Sequence, residues 1–163
     1  MKKLISILLF LPLMASCATP SKSELDAEVR RLCAKDGGVK VYETVTLLPE
    51  MFNKYGQINF YKPTQGENAL GPEYLYKWDI HDYRKGEPTV HGAQEIAMRR
   101  DHIKITRKSD MKLLGEVVTY VRAGGDLPGP WMPSSYHCPD SLKANSVILM
   151  NQIFIKSIEG GKK

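Results

Sequence analysis

Asp79 and His81 stand two residues apart in a segment, Tyr74 to Tyr83, where Tyr74, Tyr76, Trp78 and Ile80 alternate with more polar residues. At strand periodicity that spacing puts both side chains on one face, where a carboxylate could orient an imidazole for general-base work. No nucleophile can be assigned to the pair, so the spacing reads first as a satisfied or exposed polar face. His91, His102 and His137 add no metal-ligand spacing, and no short Cys-x-x-Cys or His-x-x-x-His occurs. The residues call for neither a metal nor a cofactor.

Two other stretches carry unusual side chains. Between Arg99 and Lys112 lie six basic residues, Arg99, Arg100, Lys104, Arg107, Lys108 and Lys112, against Asp101 and Asp110. Such an excess could bind anionic lipid headgroups or another acidic envelope polymer; it equally describes a solvated hairpin whose charges keep an edge strand from pairing. Gly124 to Pro139 reads as a long, Gly- and Pro-rich ordered loop with Trp131 embedded in it. Trp131, Met132 and Tyr136 could form an apolar partner-binding surface, or Trp131 could fold back as a lid on the core.

The elements that must position these groups follow from periodicity. Ser21-x-x-Glu24 is a capping box, and Leu25, Val29, Leu32 and Cys33 then recur on one helical face until Gly37 and Gly38 stop the helix. Val39, Val41, Val45 and Leu47 alternate as a strand, interrupted by Glu43; Pro49 opens a short helical turn, and Gln57 to Tyr61 could be a second strand. Lys62 to Pro72 has the composition of a surface loop. Further strands are expected at Tyr74 to Tyr83, Ile96 to Arg99, His102 to Arg107 and Leu113 to Arg122, with Lys108-Ser109-Asp110 turning a hairpin between the last two. Val147 to Ile155 reads as a final strand, although so apolar a run also suits a buried helix. The sum is an α+β domain, one N-terminal helix packed on a mostly antiparallel sheet.

The N-terminus carries a different kind of signal. Lys2 and Lys3 precede the apolar run Leu4 to Met14, which gives way to Ala15 and Ser16 before Cys17. This is the three-part order of a secretory signal peptide, and the run is too short for the roughly 20 residues of a membrane span. At Met14-Ala15-Ser16-Cys17 the sequence resembles the lipobox of bacterial lipoproteins, with Met14 where leucine is usual. The resemblance covers about the first seventeen residues. It implies cleavage before Cys17, lipid on its sulfur and amino group, and anchoring to a membrane through those chains. With Ala18 rather than aspartate after the cysteine, it implies the outer membrane, facing the periplasm. Ser16-Cys17-Ala18 also fits ordinary cleavage after Ala18.

On this reading residues 1–16 are a signal peptide, 17–23 a lipidated tether, 24–158 one globular domain, and 159–163 a C-terminal tail. With Cys17 assigned to lipid, Cys33 and Cys138 remain, and in an oxidising periplasm they are expected to pair, the other reading being two unrelated thiols. The formal charge of +5 includes Lys2 and Lys3, which leave with the signal peptide. The remainder is too mild to imply nucleic acid. The expected role is binding, inhibition or structural support in the envelope, toward a periplasmic protein or an anionic envelope component. A hydrolase using the Asp79/His81 region is the alternative.

Overall fold

The computed structural model describes residues 20–86, 95–126 and 133–158. The chain opens with helix α1 (Lys22–Asp36). Its capping box is complete: the Ser21 amide donates to Glu24 Oε2 at 2.7 Å and the Glu24 amide to Ser21 Oγ at 3.3 Å. The helix stops at Gly37, where an added Cβ would lie 2.7 Å from both the Cys33 carbonyl oxygen and Sγ, so only glycine fits.

The main sheet has five strands, β1 (Gly38–Val41), β3 (Tyr74–Arg84), β4 (Ala97–Arg107), β5 (Lys112–Ala123) and β6 (Ser135–Cys138). The order is β1-β5-β4-β3, with β6 also on β5 and every pairing antiparallel. A separate parallel pair joins β2 (Val45–Leu47) to β7 (Phe154–Lys156). The fold is therefore α+β, with an N-terminal helix on a mostly antiparallel sheet. The 108–111 turn makes the expected hairpin of β4 and β5, with Met111 at φ 55°.

Each face of the sheet has its own core. On one, α1 lies against β5 and β6, and Val29 and Cys33 pack on Met98, Val118 and Tyr120. On the other, helix α2 (Ser146–Ile153) covers β1 and β5, and Leu149, Met150 and Ile153 join Tyr74, Tyr76, Ile105 and Leu114 around Phe154. The α2 packing is closest over Gly115, whose added Cβ would lie 2.8 Å from the Lys40 carbonyl and 2.9 Å from Ile153.

Several expectations need correction. Val147 to Ile155 is not one strand: Asn145 caps α2 by accepting the Ile148 amide at 2.9 Å, and only Phe154–Lys156 is extended. Val39 to Leu47 is two strands in two sheets. The Tyr42 and Glu43 amides both donate to the Leu114 carbonyl, at 2.8 and 3.1 Å, which ends the ladder and releases the chain toward β7. Gln57 to Tyr61 contributes only an isolated bridge between Ile58 and Phe52. Lys62 to Pro72 contains a 3₁₀ segment, Pro63–Asn68, and buries Ala69 and Leu70. The two strands expected at 96–99 and 102–107 are one, β4, because Asp101 in its middle is paired with side-chain donors rather than marking a turn. Within the stretch read as a loop, Ser135–Cys138 is a strand on β5.

Candidate binding cleft

The residues singled out by spacing lie mostly on the α1 face. Asp79 and His81 do share that face, on the stretch of β3 that α1 leaves open. Asp79 sits 3.5 Å from Lys77 Nζ and 3.7 Å from Lys104 Nζ, His81 packs edge-on against Tyr83, and no hydrogen bond joins the two. Tyr136 also faces α1, with the Arg30 guanidinium 5.5 Å from its ring centre. Trp131, Met132 and Cys17 lie outside the described residues, as does His91.

Charge on this face is consumed internally. His102 Nε2 and Glu116 Oε2 are 2.6 Å apart, and Arg100 Nη1 lies 3.2 Å from His102 Nδ1. A guanidinium can only donate, so Nδ1 accepts and Nε2–H donates to Glu116, leaving neither ring nitrogen for proton transfer. Burial works to raise the Glu116 carboxyl, but hydrogen bonds from Tyr42 and His102 outweigh it and hold the group below its ordinary value. Asp36 accepts from Arg100 at 2.9 Å and from Tyr120 at 2.7 Å. The basic hairpin is disarmed in the same way, since Arg107 pairs with Glu43 and Asp110, and Lys112 with Glu43. Asp36, Glu43 and Asp79 from other elements meet much of its positive excess, while Lys108 bonds the Asn68 amide oxygen and the Gly71 carbonyl.

Two tie points fasten α1 to the sheet. Cys33 and Cys138 form a disulfide, with Cα atoms 5.9 Å apart, linking the helix to β6. At the other end, Arg122 is 4% exposed and donates to Asp26 of α1, to the Gly124 and Ser134 carbonyls, and to Ser134 Oγ. Asp126 holds the same neck through Lys22, the Ser134 amide and its hydroxyl, and these bonds lower its carboxyl to about 2.

The opposite face is different. The register lays out three rows across the sheet: His137, Val121, Arg99 and Asp82; then Thr119, Asp101 and Ile80; then Val117, Ile103 and Trp78. α2 lies mainly over β1 and the lower part of β5, so these rows, Ile80 and Asp82 apart, floor a cleft of about 310 Å³, walled by Pro139, Ser141 and Asn145. A second hollow of about 660 Å³ continues it, sharing Arg99, Val121 and His137 and reaching Arg84, Lys85 and Ser135.

At its centre is a buried acid. Asp101 Oδ1 accepts from Trp78 Nε1 at 3.3 Å and Oδ2 from Arg99 Nε at 3.2 Å. A carboxylate has about four acceptor sites, so each oxygen retains capacity for another donor. The bond to Asp101 fixes the tilt of the indole, which stays 54% exposed, beside Ile80 at 51%. Arg99 is half exposed and uses only Nε among the described residues. His137 Nε2 lies 3.2 Å from Ser135 Oγ, and no described carboxylate meets that ring. Among the described residues no His, Cys, Asp or Glu cluster forms a metal site.

Sequence reasoning placed Trp78 on a strand and Arg99 in a basic stretch without connecting them. The available signal was the Trp78/Ile80 alternation, which reads as core on a covered strand and as surface on an edge. Compared with family models, with curated proteins and with solved structures, the chain matches none.

Proposed function

We propose that the chain is a bacterial envelope lipoprotein, held by lipid on Cys17 at the outer membrane and facing the periplasm, whose domain acts by binding a ligand in the Trp78–Arg99–Asp101 cleft. The observation that carries the binding reading is the buried Asp101, bonded to a half-exposed indole and a half-exposed guanidinium in an open cleft. Recognition sites commonly have this build, an apolar ring beside a few fixed polar groups. The anchoring reading rests on the lipobox resemblance; no described helix is long and apolar enough to cross a membrane. A disulfide suits an oxidising compartment. From Cys17 to Lys22 the tether spans five residues, about 18 Å at full extension. That holds the α1 N-terminus and the Asp126 neck beside the bilayer. The hydrolase alternative at Asp79/His81 has less support, because that carboxylate lies between two lysines.

The test has two arms. Cys17→Ser should abolish incorporation of labelled fatty acid and leave an uncleaved or soluble form; unchanged labelling would reject the anchor. Immobilised full-length protein should retain an envelope component that Trp78→Ala and Arg99→Gln both lose. Identical capture by wild type and variants would reject the cleft as the binding site.

A further inference from the structure

We infer that the cleft takes a linear, carboxylate-bearing saccharide, an inference that rests on the binding reading above. The first argument is shape. The two hollows join through Arg99, Val121 and His137 and follow β4 from Ile103 to Ala97, about 20 Å at strand rise. A trough of that length, open along one side, suits a segment of a chain better than an enclosed small molecule.

The second argument separates saccharide from peptide. An extended peptide gains most of its affinity from main-chain hydrogen bonds to an unpaired strand edge. The floor of this trough is a sheet face, where the backbone groups of β4 and β5 already bond to neighbouring strands. What it offers is side chains: an indole face, a carboxylate, a guanidinium, and the Thr119 and Ser141 hydroxyls. Those are the partners a sugar ring needs, an apolar face to cover its C–H surface and polar groups for its hydroxyls.

The third argument is charge. Among the described residues, Arg84, Lys85 and Arg99 line the trough against Asp82 and Asp101, so three cationic side chains face two carboxylates there. Arg99 already bonds Asp101 through Nε, and its terminal nitrogens present the edge that receives a carboxylate in paired hydrogen bonds. A ligand carboxylate on Arg99, with its ring on Trp78 and a hydroxyl or amide N–H on Asp101, uses each central group in its natural role.

The experiment titrates the full chain in detergent micelles by calorimetry. The probes are tetragalacturonate, its full methyl ester, the N-acetylglucosaminyl–N-acetylmuramate disaccharide, neutral chitotetraose, and a capped acidic hexapeptide. At least one carboxylate-bearing saccharide should bind, about tenfold or more tighter than the uncharged saccharides. Which of the two binds distinguishes a uronate polymer from a lactyl-ether glycan as the source of the carboxylate. Arg99→Gln and Trp78→Ala should each weaken that binding by about tenfold, with melting lowered by no more than a few degrees. Should Arg99→Gln fail to fold, the acid-to-ester comparison on the wild type still decides the point.

Absence of binding by both acidic saccharides overturns the inference, as does equal binding of acid and ester. Tighter binding of the peptide overturns it in favour of a protein ligand. If the saccharides fail while an envelope component is still captured by wild type and lost in the cleft variants, the ligand class is wrong and the binding reading stands. If capture ignores the variants, the binding reading itself fails.

Discussion

The two faces of the sheet put similar side chains to different uses. Toward α1, charged groups find partners far away in the chain: Asp36 with Arg100, Asp26 with Arg122, Glu116 with His102 and Tyr42. The first two of these bonds, with the disulfide, attach a helix whose buried apolar contribution is small, essentially Val29 and Cys33. Toward α2, adhesion is apolar, with Leu149, Ile153 and Phe154 buried to 2% or less exposure, while in the cleft Asp101 pairs with Trp78 and Arg99 on its own sheet face. Charge is thus a poor marker of function in this molecule. The informative distinction is whether a charged group is satisfied by an element it must hold in place, or by neighbours on its own sheet face.

The comparison is broken most severely at the bridge. Replacing Cys33 and Cys138 together by alanine should remove at most ~4–5 kcal/mol on the chain-entropy model for a 105-residue separation. Hydrogen exchange should then show α1 losing protection ahead of α2. Equal loss on both faces would mean that the bridge does not serve the α1 face in particular.

Next comes the polar tie. Arg122→Met removes one partner of a nearly buried pair and should cost about 3 kcal/mol in denaturant unfolding, the low end of the range because Asp26 keeps some access to water. On the opposite face, Gly115→Ala should cost about 1–3 kcal/mol by pressing a Cβ against the Lys40 carbonyl of β1 and against Ile153 of α2. Restoration by Ile153→Val in the same chain would show that steric crowding by α2 is the cause.

The pH dependence of the neck is a finer test. Asp126 falls from an ordinary value of 3.8 to about 2 through Lys22 and Ser134, so the folded state binds fewer protons than the unfolded one. Its stabilising contribution is complete above about pH 4 and disappears as pH falls through 2. Asp126→Asn should lower the melting temperature above about pH 4, where the contribution is complete, and flatten its dependence on pH between 4 and 2. A wild-type curve already flat between pH 4 and 2 would refute the role of the neck.

The smallest effect is expected in the cleft. Trp78→Ala removes a side chain more than half exposed and one hydrogen bond to Asp101, so unfolding should change by about 1 kcal/mol. A loss several times larger would place the indole in the supporting core and sharpen the contrast between the faces in the opposite sense.

Some of this was legible from the chain alone, and for a common reason. The capping box at Ser21, the Val29/Cys33 stripe, the stop at Gly37, and the alternation of Tyr74, Tyr76 and Trp78 are all local: a turn of helix or a pleat needs only residues a few positions apart. The Cys33–Cys138 pairing was legible by arithmetic once Cys17 was set aside.

Tertiary structure decided the rest. The apolar run ending at Ile155 satisfied both helix and strand until Gly115 and the β1–β5 surface offered a seat for a helix and β2 an edge for Phe154–Lys156. Asp101 and the basic residues around it looked like a solvated stretch until partners from Trp78, Asp36 and Glu43 were brought to them. The cleft exists because α2 stops short of β6 and, among the described residues, no strand lies beyond β3, so the same alternation that buries Tyr76 leaves Trp78 in the open. Periodicity sets which way a side chain points; what meets it there depends on packing between segments that no short-range pattern encodes.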